Sequence, residues 1–142
     1  MAQQIIENNR QGAEVYTGHD MCMKKVVEIL GELHLPRGLL PLKNMEEVGY
    51  NRSTGFTWLK QKKETTHHFK KIGKNVWYAK EFTAQVEDKK VTHMTGVKVK
   101  PLMIWVSLTG MAIEDPEGKK LTMTTSTGLG KSFPASAFEL EE

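Results

Sequence analysis

The sequence contains one cysteine, Cys22, in 142 residues. A single thiol cannot form an internal disulfide, so the chain is not a disulfide-stabilised secreted domain. Long apolar runs are also missing: the longest, residues 102–106, is far too short to cross a bilayer. The polar N-terminus lacks the apolar stretch that a signal peptide requires. We therefore expect a cytoplasmic protein without a transmembrane segment.

A strong net charge is absent as well. Lysine and arginine exceed aspartate and glutamate by three, and the sequence pI is about 8.9. Domains dedicated to nucleic acids usually have a higher pI or a denser basic cluster, so nucleic acid is not a strong candidate partner. The charge is uneven, however: residues 60–74 contain six lysines and one glutamate, whereas residues 139–142 form an acidic tail.

Recognisable catalytic motifs are missing too. There is no G-x-S-x-G nucleophile elbow. The segment TSTGLGKS, residues 125–132, imitates a phosphate-binding loop, but Thr125 replaces the first glycine, and Phe133 and Pro134 follow where a helix should begin. Without a helix N-terminus, such a loop loses the amides and the dipole that hold phosphate. We therefore predict a hairpin turn here.

The five histidines do not form a metal-binding pattern. His67 and His68 are adjacent on a predicted strand, so they face opposite sides, and no Cys or His partner stands at ligand spacing. We therefore expect no metal and no cofactor. Cys22 lies on the apolar side of a predicted helix, which indicates a buried structural thiol. The acidic pair at residues 46–47 is interpreted as solvated charge beside a turn.

One helix and a series of short strands remain. Apolar residues recur at helical spacing over residues 19–33, which predicts a helix that ends before Pro36. Alternating patterns then predict strands separated by turns at intervals of about ten residues. The predicted strands cover residues 46–50, 56–61, 65–72, 76–87, 91–99, 102–113, 121–125 and 132–138.

This pattern predicts a mainly β fold of the α+β class. About seven or eight antiparallel strands would form a closed or partly open β-barrel, with one N-terminal helix covering an opening. No βαβ alternation is present, so a doubly wound fold is not expected. We assign residues 1–17 to a flexible N-terminal segment, residues 18–138 to a single barrel-like domain and residues 139–142 to the acidic tail.

Aromatic residues on three predicted strands are candidates for an apolar wall, with Trp58, Trp77 and Trp105 each on a different strand. Core packing is their ordinary role, because large aromatic side chains dominate protein cores. A barrel of about eight strands can also hold one small ligand, so the same residues could line an apolar cavity. The candidate wall consists of Trp58, Trp77, Trp105 and Phe82.

The lysine-rich segment has two interpretations. Lysines on an edge strand often guard it against pairing with another molecule. Alternatively, a basic rim attracts an anionic ligand, a lipid head group or a partner. The candidate basic rim consists of Lys60, Lys62, Lys63, Lys70, Lys71 and Lys74.

The run GLLPLKNMEEVGYNRSTGFTWLKQKK, residues 38–63, resembles the plant Domain of Unknown Function 538 family. The similarity continues through YTGHD, FKKIGK, YAKE, LMIWV and TGLGKSFPASAF, so it spans nearly the whole chain. The resemblance implies a β-barrel-like fold with an N-terminal helix, a plant source and a role in stress or development, but no agreed activity. The family has been likened to bactericidal/permeability-increasing-type lipid-binding barrels, and esterase or chlorophyll-related roles have been suggested. Many members have a signal peptide, and none is predicted in this sequence, so we expect the intracellular type.

Our leading hypothesis is a non-enzymatic protein that binds a small amphipathic or lipid-like ligand in a plant stress or developmental context. The apolar wall would hold the body of the ligand, and the basic rim would meet its anionic group. Two alternatives stay open: a protein-interaction or regulatory module with a filled core, and a weak esterase-type hydrolase. The hydrolase is less favoured, because no nucleophile–base pair is recognisable. We expect a monomer.

Overall fold

The computed structural model describes residues 2–100, 103–128 and 130–140. Helix α1 (Ala2–Asn9), strand β1 (Glu14–Thr17) and helix α2 (His19–Glu32) come first. The strands that follow are β2 (Met45–Asn51), β3 (Phe56–Gln61), β4 (Thr65–Phe69), β5 (Lys74–Glu87), β6 (Lys90–Val99), β7 (Val106–Ala112), β8 (Lys120–Thr125) and β9 (Gly130–Pro134). A 3₁₀ helix (Ala135–Phe138) follows β9. The fold is mostly β, as the alternating pattern predicts.

The described strands form one nine-stranded sheet in which every pair is antiparallel. The strand order is β1-β2-β3-β5-β6-β7-β8-β9, and β4 also pairs with β5. β3 and β4 occupy successive parts of the same edge of β5, with Lys60 opposite Glu81 and Thr65 opposite Tyr78. Within the described residues, β1 pairs with β2 alone and β9 with β8 alone. The predicted closure into a barrel is therefore not confirmed.

Several predicted boundaries differ from the structure; for example, the strand predicted over residues 65–72 ends at Phe69. The strand predicted from residue 102 begins at Val106, because Val106 pairs with Val99 and the residues between them connect β6 to β7. Leu102 itself lies outside the described residues. The closing strand predicted over residues 132–138 divides into β9 and the 3₁₀ helix. The N-terminal segment, expected to be flexible, contains α1 and β1, and the pairing of β1 with β2 crosses the predicted domain boundary at residue 18.

The main core lies on the face of the sheet against which α2 packs, which we call the inner face. Cys22, Val26 and Leu30 of α2 are buried there with apolar side chains from β2 to β8. Leu59 and Phe82 are directly opposite each other in β3 and β5, and both belong to this core. The buried side of α2 is the one predicted from the helical spacing of its apolar residues.

The 3₁₀ helix seals the main core beside the segment that follows α2. Phe138 is fully buried, and its ring centre lies 5.1 Å from that of Phe69. The Phe138 carbonyl accepts a hydrogen bond of 2.8 Å from the amide of Gly38. A Cβ atom at Gly38 would lie 2.5 Å from the Glu139 carbonyl oxygen, so the close approach of these two segments requires glycine.

The opposite, outer face of the sheet is covered in part by α1. Ile6 of α1 is buried there with Phe56 and Trp58 of β3, in a cluster separate from the main core. Successive strand residues point to opposite faces, which is why Trp58 lies outside and its neighbour Leu59 lies inside. Gly49 lies directly opposite Trp58 in β2, where a Cβ atom would overlap the indole ring.

Candidate functional site

The inner face is not filled along its whole length. An open cavity of about 490 Å³ lies where β5 begins, β6 ends and β7 begins, beside the turn between β8 and β9. This volume falls within the range of small-molecule sites. The described lining residues are Ile72, Lys74, Val76, Val99, Lys100, Ile104, Val106, Met123, Thr125, Thr127, Gly130, Lys131 and Phe133.

Strand pairing brings these residues together. Val99 lies opposite Val106 in β6 and β7, and Met123 lies opposite Lys131 in β8 and β9. Directly opposite residues of an antiparallel pair project from the same face of the sheet. The ends of five consecutive strands, β5 to β9, therefore wall one space.

The charged residues among the described lining are all lysines. Lys74 begins β5, Lys100 follows β6, and Lys131 lies in β9. Lys100 and Lys131 are exposed, whereas Val76 and Met123 are buried. The cavity therefore combines an apolar interior with cationic groups toward solvent. Such groups attract anions more strongly beside low-dielectric walls than they do in open water.

Residues 103–105 form an exposed apolar loop beside the cavity. Met103 and Ile104 are 84% and 73% exposed, and Ile104 also lines the cavity. Trp105 is 38% exposed, and the Lys100 ammonium lies 5.4 Å from the centre of its ring. Scattered apolar side chains are normal on a protein surface, but a contiguous apolar patch marks a binding site.

The floor of the cavity is a packed core. Val76 and Met123 line both the cavity and a neighbouring void of about 10 Å³ with an apolar surround. A further void of about 30 Å³ lies between α2 and the sheet and is lined in part by Phe82. Voids of this size can hold at most a water-sized group, so an organic ligand on the inner face would occupy the cavity.

The six lysines of the predicted basic rim separate into two groups. The first group, at the end of β3 and before β4, comprises Lys60, Lys62 and Lys63. The second group, after β4, comprises Lys70, Lys71 and Lys74. β4 has five residues and spans roughly 14 Å, so the groups lie at opposite ends of that strand. Of the six, Lys74 is among the described lining residues of the cavity, and Lys60 Nζ lies 3.9 Å from Glu47 Oε2.

The four residues of the predicted apolar wall are also dispersed. Trp58 is fully buried on the outer face, whereas Phe82 belongs to the main core on the inner face. Trp77 is half-buried and alternates with core residues, so it faces outward, and the Lys98 ammonium lies 5.2 Å from its ring centre. Trp105 lies in the exposed loop. The structure therefore does not bring these residues together as one wall.

Glu47 is not a solvated turn charge, contrary to the interpretation of the acidic pair. Its side chain is 18% exposed, and its Oε2 accepts hydrogen bonds from Trp58 Nε1 at 2.7 Å and Arg10 Nη2 at 2.9 Å. Burial acts to raise the pKa of Glu47, but these hydrogen bonds and the charges of Arg10 and Lys60 outweigh it and lower the pKa. This contact joins the end of α1 to the sheet.

The other groups considered for chemistry have structural partners. Cys22 is buried, its Sγ donates to the Tyr16 carbonyl at 3.4 Å, and burial raises the pKa of its thiol. His68 Nδ1 forms a hydrogen bond with Asn75 Oδ1 at 2.8 Å. In the described part of the chain, no group of three or more His, Cys, Asp or Glu side chains could hold a metal ion. No helix found there is both long enough and apolar enough to span a membrane.

Sequence reasoning missed most of the cavity. Strands β8 and β9 form a hairpin, as predicted, with Thr124 opposite Gly130, but this hairpin also brings Lys131 to the cavity. A single lysine such as Lys100 or Lys131 does not by itself indicate a binding site in the sequence. Alternation does indicate that Lys131 and Phe133 share a face of β9. The meeting of five strand ends at one space could not be read from that pattern.

The chain was also compared with known proteins. Residues 26–139 match the family model described as "Protein of unknown function, DUF538". The matched range begins within α2 and includes all the strands from β2 to β9, and with them the described cavity lining. The family predicted from residues 38–63 is thereby confirmed. No curated protein and no solved structure matches the chain.

Proposed function

We propose that this chain, which belongs to the DUF538 family, binds a small amphipathic molecule with an apolar body and an anionic group, and catalyses no reaction on it. The cavity of about 490 Å³ is the observation that carries this proposal. Its apolar side chains would contact the body of the ligand, and Lys74, Lys100 and Lys131 would meet the anionic group.

The arrangement also favours one orientation of the ligand. Burial of each methylene contributes about 0.8 kcal/mol, so an acyl chain gains most by reaching the floor near Val76 and Met123. Lys100 and Lys131 are exposed, so an anionic group gains most by staying toward solvent. Both preferences act in the same direction, with the apolar end of the ligand inward.

The described lining favours binding over hydrolysis. It includes the hydroxyl groups of Thr125 and Thr127, but no histidine, cysteine or carboxylate. A hydroxyl nucleophile requires an adjacent base to activate it, and no histidine or carboxylate is among these lining residues to serve as one.

A fluorescent fatty acid and the uncharged alcohol of the same chain length test the proposal. The wild-type protein should bind both probes saturably, and it should bind the acid more tightly. Val106→Trp should weaken binding of both probes by about tenfold or more, because the larger side chain occupies the cavity. A thermal melt of the variant checks that it folds. A folded wild-type protein that binds neither probe, or a folded Val106→Trp protein that binds both normally, would contradict the proposal.

Lysine variants test the role of charge in this site. Lys131→Gln should weaken binding of the acid and leave binding of the alcohol unchanged, because Lys131 would contact only the anionic group. Lys62→Gln removes the same charge at the far end of β4 and serves as the matched control. Equal losses in the two variants would show that net charge, rather than the cavity lysine, attracts the acid.

The wider setting belongs to the proposal as well. We expect a monomer that acts in the plant cytoplasm during stress or developmental responses, as the family resemblance implies. The single buried cysteine fits a reducing compartment. Closure of the sheet into a barrel is not required, because the ends of consecutive strands already wall the open cavity. Sedimentation of the full chain, without and with the fatty acid, checks the monomer.

A further inference from the structure

We propose that the loop at residues 103–105 and the lysines beside it dock the protein on an anionic lipid bilayer, with the cavity open toward the lipid. This inference rests on the proposed function, since an amphipathic ligand would then exchange directly between the bilayer and the cavity. The bilayer would contact the loop and the lysines on the protein surface, whereas the ligand would be bound inside the cavity.

The loop is exposed in a way that the rest of the described surface is not. Met103, Ile104 and Trp105 are large apolar residues exposed at three consecutive positions. The other exposed large apolar side chains of the described chain occur at isolated positions, at Val15, Met21 and Leu140. Isolated residues of this kind need no explanation, whereas a continuous apolar tip marks an interaction site.

The loop is continuous with the mouth of the cavity. Ile104 lines the cavity, while Met103 and Trp105 are not among its described lining residues. A surface that covers Met103 and Trp105 would therefore lie beside the opening rather than inside it. Substitutions at Met103 and Trp105 can therefore test docking on the bilayer without changing the described lining of the cavity.

A cation and a tryptophan lie together beside the mouth of the cavity. The Lys100 ammonium is 5.4 Å from the centre of the Trp105 ring. The Lys98 ammonium and the Trp77 ring centre, 5.2 Å apart, lie on the outer face and are not part of this surface. Tryptophan is enriched at the level of lipid head groups, and lysines next to it attract anionic lipids. Both features match a bilayer surface with negative charge.

A bilayer fits this surface better than a folded protein partner does. A stable protein–protein interface buries about 1,000 Å² or more, which three adjacent side chains cannot supply. A bilayer interface needs only a few inserted apolar side chains together with electrostatic attraction. The exposed apolar tip supplies the inserted side chains, and the lysines beside it supply the electrostatic attraction.

Vesicle flotation of the full chain tests the docking. The protein should float with vesicles of phosphatidylcholine mixed with phosphatidylserine, and much less with phosphatidylcholine alone. The double variant Met103→Ser/Trp105→Ser should lose about tenfold or more in vesicle partitioning, because the apolar tip is gone. Lys100→Gln should lose about fivefold on the anionic vesicles only. Met21→Ser removes an exposed methionine from α2 and should float like the wild type.

A second readout separates this inference from the proposed function. In solution without vesicles, the double variant should still bind the fluorescent fatty acid as the wild type does, since neither substituted residue is among the described lining. Normal flotation of the double variant, or absence of the wild type from anionic vesicles, overturns the docking even if the fatty acid binds. Flotation that depends on the loop supports the docking even if no fatty acid binds. Self-association that the double variant abolishes, without vesicle binding, assigns the loop to an interface between copies and overturns the docking.

Discussion

At the scale of single residues, Trp58 is held from several directions on the outer face. Ile6 packs against it, Gly49 lies beneath its ring, and Arg10 lies 5.3 Å from its ring centre. The indole N–H donates to Glu47, which completes its enclosure. The sequence indicates that Trp58 is buried but not on which face, because α1, which covers it, comes from a segment with a largely polar composition.

Gly49 should be the most sensitive glycine of the outer face. A Cβ atom in Gly49→Ala would overlap the Trp58 ring, so we expect a loss of about 1–3 kcal/mol or more in the free energy of unfolding. Gly31→Ala is the matched control. Gly31 lies in α2, and a Cβ atom there would meet only Arg37 Cδ, at 3.7 Å. We expect Gly31→Ala to raise stability by about 0.5–1 kcal/mol. Urea unfolding measures both, and a Gly49→Ala protein as stable as the wild type would show that the indole can move at no cost.

Glu47 should contribute to stability in a way that depends on pH. Its pKa is lowered in the folded state, so its contribution is complete above the unfolded pKa and is lost as pH falls through the folded pKa. Glu47→Gln should therefore cost about 1–3 kcal/mol at neutral pH, and the difference from wild type should shrink below about pH 4. Urea unfolding at neutral and acidic pH measures this difference. A difference that stays constant with pH would show that the charge of Glu47 has no role.

At the scale of elements, the buried side chain of Asn51 joins α1 to the β2–β3 turn. Its Nδ2 donates to the carbonyls of Asn9 and Gln11, at 3.1 and 3.3 Å. Its Oδ1 accepts from the amides of Ser53 and Thr54, at 3.1 and 3.3 Å. One side chain thus supports both the turn and the end of a helix that packs on the outer face.

We expect Asn51→Ala to lower the free energy of unfolding by about 1–3 kcal/mol, because buried groups lose hydrogen-bond partners. The amides of Ser53 and Thr54 should also exchange faster with solvent, as hydrogen exchange would show. Asn75→Ala is the matched control: Asn75 is exposed and its hydrogen bond goes to His68, so the change should stay within about 0.5 kcal/mol. Equal stability of the two variants would contradict this role of Asn51.

The sequence predicts best those elements in which apolar residues recur with a regular helical or strand period. Helix α2 and strand β3 occur where spacing and alternation place them. The apolar run at residues 102–106 is different, because apolar composition predicts neither burial nor pairing by itself. Because Val99 pairs with Val106, residues 103–105 of that run belong to the connection between β6 and β7 rather than to a strand. This pairing depends on contacts between strands rather than on local sequence.

At the scale of the whole molecule, ligand binding should raise thermal stability in a salt-dependent way. A ligand at about one hundred times its Kd stabilises the folded state by about 2.7 kcal/mol, which should raise Tm by several degrees. Added salt should reduce this shift for the fluorescent fatty acid and leave it unchanged for the alcohol, because salt screens the lysine charges. Calorimetry with each probe at low and high salt measures it. The same salt dependence for both probes would contradict a role of charge in the cavity.

The candidate site shows where sequence reasoning reaches its limit for the whole molecule. The sequence predicts an apolar interior beside lysines, and Lys74 does lie at the cavity. Lys100 and Lys131 come from other strands, and their convergence with Lys74 depends on the order of strands in the sheet. Conversely, Lys62 and Lys63 are near Lys74 in sequence but lie at the other end of β4. Distance along the chain was therefore a poor guide to the charged surface.

The contact between Gly38 and Phe138 has a consequence for synthesis on the ribosome. These residues are about one hundred positions apart, so neighbouring hairpins can pair as they emerge while the inner face still lacks its seal. During that interval the nascent chain exposes core side chains that chaperones recognise. Ribosome-bound chains that have exposed residues only to 134 should bind a chaperone, and chains that have also exposed residues 135–140 should release it. Co-purification of stalled nascent chains measures this difference.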